Sequence, residues 1–108
     1  MFITDDEVQK CIDYLGESAK EYATTKARMK HLEQHRKSVR AAQVLKATGK
    51  TISENTNRAE ASEAYVNIVN EYKESVAEFT LIEAYRKTAE LKIEVWRSLN
   101  ASHRRGNI

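Results

Sequence analysis

The 108-residue chain has no proline, three glycines and a single cysteine. Each scarcity excludes something. Cys11 alone cannot close a bridge within the chain, so a small disulfide-stapled scaffold is out. No apolar run approaches the ~18 residues of a membrane span. The opening MFITDDEV is acidic where a secretory leader is basic, which points to a reducing, cytoplasmic setting. No G-x-S-x-G, Walker loop or glycine fingerprint occurs, so neither an enzyme nor a cofactor or small-molecule substrate is expected. The missing Pro and Gly are also the punctuation of sheets and tight turns, and their absence predicts an all-α chain.

Helix start signals agree. Thr4-Asp5-Asp6-Glu7 and Thr51-Ile52-Ser53-Glu54 read as capping boxes, with Ser62-Glu63 as a third N-cap. The expected helices are 5–48, 52–60 and 63–102, in a single helical domain over 1–108 with a frayed tail at 103–108. Gly49 stands where a C′ glycine ends a helix. Gly16 falls inside a helical pattern and reads as tolerated there.

Both long segments carry 3-4 apolar spacing. The first has Val8, Cys11, Leu15, Tyr22, Met29, Leu32 and Val39; the second has Tyr65, Ile68, Tyr72, Phe79, Ile82, Ala89, Ile93 and Trp96. A short connection predicts a long antiparallel, coiled-coil-like hairpin with a short middle helix. Letting facing residue numbers sum to 111 sets Leu15 against Trp96, Leu32 against Phe79 and Val39 against Tyr72. Arg36 and Arg86 then meet Ser75 and Thr25. A second stripe is expected at Val69, Val76, Leu81, Tyr85, Val95 and Leu99. Burying it predicts a homodimer or higher oligomer, most simply a four-helix bundle.

Charge is blocked along the chain. Residues 1–25 carry net −4, residues 26–50 net +7, residues 51–95 net −4 and residues 96–108 net +3, for an overall +2. The hairpin brings the basic block beside the acidic start of the last helix. Lys26, Lys30, Arg36, Lys37 and Arg40, with Arg104 and Arg105 in the tail, are the candidate residues for binding a partner or nucleic acid. The attraction of such a surface for phosphates is counterion release, which predicts weak, sequence-indifferent contact. No aromatic is interleaved within 26–50, so there is no stacking platform for single strands. His31 and His35 share a helical face at zinc-ligand spacing, but no third ligand is in view, and no metal is expected. Cys11 reads as a small core hydrophobe. Trp96 reads as a plug against Leu15, or as a partner contact if exposed.

At Arg28-x-x-x-Leu32-Glu33-x-x-Arg36-Lys37-Ser38, at Gly49-Lys50-Thr51 and at Lys92-Ile93-Glu94-x-Trp96-Arg97-Ser98, the chain resembles a family of small all-helical phage and prophage proteins. Members sit among replication and recombination genes. The resemblance implies a non-enzymatic accessory protein acting by protein–protein interaction in DNA metabolism or on a host factor, within the host cytoplasm. A sequence-independent nucleic-acid-binding module is the alternative reading, and a structural oligomer such as a virion or scaffold component is a third. The likeness to WXG-type helical hairpins fails, since their Trp-x-Gly lies at the central turn whereas Trp96 lies near the C-terminus.

Overall fold

The computed structural model describes residues 2–106, the side chains of Arg104 and Arg105 excepted. All regular structure among the described residues is helical: α1 spans Asp5–Lys46, α2 Ile52–Ala61 and α3 Glu63–Gly106. The protein is therefore all-α, with two long helices and a short middle one.

The caps form as their sequences dictate. Thr4 Oγ1 accepts from the Glu7 amide at 3.1 Å, and Asp5, Asp6 and Glu7 fill the first turn, where the helix dipole favours acid. Ile3 before that cap and Val8 after it are both buried, the two positions of a hydrophobic staple. Thr51 caps α2 by accepting from the Glu54 amide at 3.1 Å. The Glu54 carboxylate reaches back to the Lys50 amide at 2.9 Å. That bond, helped by Arg58, holds the Glu54 pKa below its usual value against the opposing effect of desolvation. Ser62 separates α2 from α3 in an extended conformation. Its Oγ donates to Ala59 O at 2.6 Å and accepts from the Tyr65 amide at 3.3 Å, so it is the expected third N-cap.

Three local expectations are corrected. α1 stops at Lys46 rather than 48, its end tightened by an Ala47 N–H to Val44 carbonyl bond of 3.2 Å. Gly49 is no left-handed cap, since no described glycine has positive φ. It is small because α2 crowds it: a Cβ there would stand 2.5 Å from Asn55 Oδ1 and 2.9 Å from Glu54 Cγ. Residues 103–106, expected to fray, belong to α3. Gly16 has open space around its Cβ position, in keeping with a tolerated helical glycine.

The chain packs as two compact units. One comprises Thr24–Phe79; the other comprises the residues up to Ala23 together with those from Thr80 onward. In the Thr24–Phe79 unit, Leu32, Ala59, Ile68 and Ser75 are buried. The Arg36 guanidinium lies 4.9 Å from the centroid of the Tyr72 ring, and Arg28 pairs with Glu78 at 3.1 Å. α2 is held along the end of α1 by Arg40–Glu60 at 3.1 Å and by Arg58 donating to Thr48 at 3.3 Å. In the other unit, Ile3, Val8, Ser18, Ile82 and Ala89 are buried. Here Arg86 donates to Ser18 Oγ at 2.6 Å and to Leu15 O at 2.8 Å, and lies 4.9 Å over the Tyr22 ring.

These contacts correct the register in each unit. A helical side chain leans toward its own N-terminus. Arg36 over Tyr72 thus sets Leu32 level with Tyr72, and Arg86 over Tyr22 sets Ile82 level with Tyr22. Facing numbers sum to 104, as those of Ser18 and Arg86 do, one heptad from the expected 111. Both registers keep every apolar position on the seam, so the heptad pattern does not choose between them. The turn does. α2 is not part of the connection but lies beside the end of α1, leaving only residues 47–51 to reverse the chain. Ser75 and Ala89 then fall opposite Met29 and Leu15, again small against large. In a Cys11→Ser background, cysteines replacing Leu32 and Tyr72 should crosslink on mild oxidation, and cysteines replacing Leu32 and Phe79 should not. Non-reducing electrophoresis of a protease-nicked sample reads the outcome, and the reverse pattern restores the register of 111.

Candidate interaction surfaces

The basic block is divided by the fold. Three of its arginines serve packing within the Thr24–Phe79 unit: Arg28 on Glu78, Arg36 on the Tyr72 ring and Arg40 on Glu60. Arg36 and Arg40, named from the sequence as binding residues, are thus partly committed. Lys26, Lys30 and Lys37 are exposed on one face of α1. Lys30, Lys37 and Lys46 enter no ion pair among the described residues. Of the acids of the last helix, Glu78 neutralises part of the block through Arg28, whereas Glu83 pairs with Lys87 on its own helix at 3.3 Å. Glu60, on α2, was not anticipated, because the sequence alone does not fold α2 back along α1. The candidate side chains of Arg104 and Arg105 lie outside the described residues.

The His31 and His35 rings stack with centroids 5.9 Å apart and planes 6° from parallel. Both are exposed, and no group of three or more His, Cys, Asp or Glu residues that would hold a metal exists among the described residues.

The apolar stripe is also divided. Val69 and Val76 are half-buried in the Thr24–Phe79 unit. Leu81, Tyr85, Val95 and Leu99 belong to the other unit, where Leu81, Tyr85 and Leu99 are exposed and Val95 is half-buried. A shallow groove of 310 Å³ runs between the helices of this second unit. It is lined by Glu7, Lys10, Cys11 and Tyr14 on α1 and by Tyr85, Thr88, Ala89 and Lys92 on α3. Cys11 is a free, half-buried thiol on its floor.

Trp96 does not plug the seam against Leu15. Its indole Nε1 donates to Asp5 Oδ1 at 2.9 Å, and the half-buried ring borders an open groove of 590 Å³ with Phe2, Ile3, Leu99 and His103. The reason is the register: at a sum of 104, Trp96 lies level with Val8 at the start of α1.

No helix among the described residues is long and apolar enough to cross a membrane. The surfaces thus define an all-helical hairpin protein with one partly neutralised basic face and one exposed apolar face. Compared with protein-family models, curated proteins and solved structures, the chain matches none.

Proposed function

We propose that this chain is a non-enzymatic accessory protein of the cytoplasm that acts by protein–protein contact. The observation that carries the reading is the surface. Among the described residues more large apolar side chains are exposed than buried, including Phe2, Leu45, Ile52, Leu81 and Tyr85 at 56–87% exposure. Apolar side chains gathered on one helix face, as Leu81, Tyr85 and Leu99 are on α3, are the usual mark of a contact surface. The resemblance of the Arg28–Ser38 and Lys92–Ser98 motifs to small phage proteins directs the search for the partner toward DNA replication and recombination proteins and host factors. A second reading, sequence-independent nucleic-acid binding, draws on Lys30 and Lys37, which have no acidic partner among the described residues.

The two readings separate by salt. Affinity for duplex DNA through Lys26, Lys30 and Lys37 would fall with a log–log salt slope of about −3. Apolar contact strengthens or holds as salt rises. The tagged chain and its Lys26→Glu/Lys30→Glu/Lys37→Glu variant should retain the same proteins from a host or infected-cell lysate after nuclease treatment and a high-salt wash. Loss of the retained proteins on nuclease treatment, together with loss in the triple variant, overturns the reading in favour of nucleic acid.

A further inference from the structure

We propose that the exposed face of α3 between Leu81 and Leu99 pairs with the same face of a second copy. The pairing is antiparallel, about a two-fold axis level with Glu90. This names one partner for the contact reading above and rests on the same exposed residues.

The first argument is the spacing. Positions 81, 85, 88, 92, 95 and 99 share one face of α3, separated by steps of 4, 3, 4, 3 and 4. That series reads the same in both directions. Reversing it onto itself sets Leu81 against the second copy's Leu99 and Tyr85 against its Val95. Thr88 falls opposite Lys92, whose long stem can carry its charge to the edge. A face of this spacing can lie antiparallel on its own copy with every position matched, as an isologous contact requires.

The neighbouring positions agree. Within the chain, Arg28 and Glu78 flank the seam and meet at a sum of 106, two above that of the seam itself. Applied to the new contact, the same offset sets Leu91 against the second copy's Leu91. Leu91 is 64% exposed within its own unit. It also sets Ala84 against Ser98, two small residues that let the helices approach. The pairing therefore covers Leu81, Tyr85, Leu91 and Leu99, the large apolar side chains that α3 exposes in this unit.

Charge supplies the third argument. By the register of 104, the axis at Glu90 is level with Tyr14, on the wall of the 310 Å³ groove. Lys10 lies one turn before Tyr14 and Glu17 one turn after it, on the same face of α1. Neither enters an ion pair among the described residues. The two-fold axis brings Lys10 of each copy toward Glu17 of the other, so the face is self-complementary in sign as well as in shape.

Purified protein, with no lysate, tests the pairing, so it can fail while the wider contact reading stands. Light scattering should give twice the chain mass at high micromolar concentration. Tyr85→Glu/Leu99→Glu should give one chain mass with its helical circular dichroism intact. In a Cys11→Ser background, Leu91→Cys alone should oxidise to a dimer. Ala84→Cys and Ser98→Cys should each stay uncrosslinked alone and crosslink when mixed. A wild type of single-chain mass overturns the proposal. So does an Ala84→Cys protein that crosslinks to itself, since that is the mark of a parallel pair.

Discussion

Arg86→Ala should lower the unfolding free energy by about 3 kcal/mol, while Arg86→Met should lower it by only about 1 kcal/mol. Arg86 is half-buried and lies across the seam. It donates to Ser18 Oγ at 2.6 Å and to Leu15 O at 2.8 Å, and its guanidinium stands 4.9 Å over the Tyr22 ring. A charge-assisted hydrogen bond is worth about 1.5–3 kcal/mol and a partly desolvated cation–π contact about 1 kcal/mol. Both variants lose these contacts, and alanine leaves a void as well. Methionine fills the space, and the groups left behind keep other partners. Ser18 Oγ still donates to Tyr14 O at 2.6 Å, and Leu15 O lies within α1. Urea unfolding followed by circular dichroism reads the difference. Equal losses in the two variants would show that the charge, not the volume, holds the seam. No loss in Arg86→Ala would show that the Ser18 contact contributes nothing, and with it the register argument would weaken.

The second large effect is expected at Ser75, which is 1% exposed, the most enclosed side chain along with Ala59. Ser75→Leu should destabilise by about 2–3 kcal/mol, because the register of 104 sets this position opposite Met29 and leaves no room for three more carbons. Ser75→Ala should change stability by less than about 0.5 kcal/mol. The hydroxyl donates only to Tyr72 O, one turn back on its own helix, at 2.7 Å, and such local bonds add little to a helix already made. Thermal melts of the two variants check both halves. A Ser75→Leu protein as stable as wild type would place the residue at the edge of the seam and not inside it.

Much of the fold was legible because helices are local objects. The caps at Thr4, Thr51 and Ser62 act within four residues, and the sequence carries them in full. The apolar seam was legible for the same reason: burial at Val8, Leu32, Ile68, Ile82 and Ala89 follows the 3-4 spacing. The pairing of basic with acidic segments was legible as a direction, and Arg28–Glu78 is an instance of it. Which individual cations are used up was not. Arg36 and Arg40 lie in the same charged block as Lys30 and Lys37, and nothing in their spacing says that one pair meets a tyrosine ring and a glutamate of α2.

What the sequence determined by itself is therefore the all-α class, the three helices and the residues that line their seam, since each depends on interactions spanning one or two turns. The tertiary structure alone decided how one helix slides along the other. A slip of seven residues costs the periodic pattern nothing, so the choice falls to the reversal at residues 47–51, with α2 laid beside the end of α1, and it shows in contacts between residues far apart in sequence: Arg86 on Ser18, Arg36 on Tyr72 and Trp96 on Asp5. At Gly49 the demand is local but lies outside its own backbone angles: the Asn55 and Glu54 side chains of the first turn of α2 crowd the place of a Cβ.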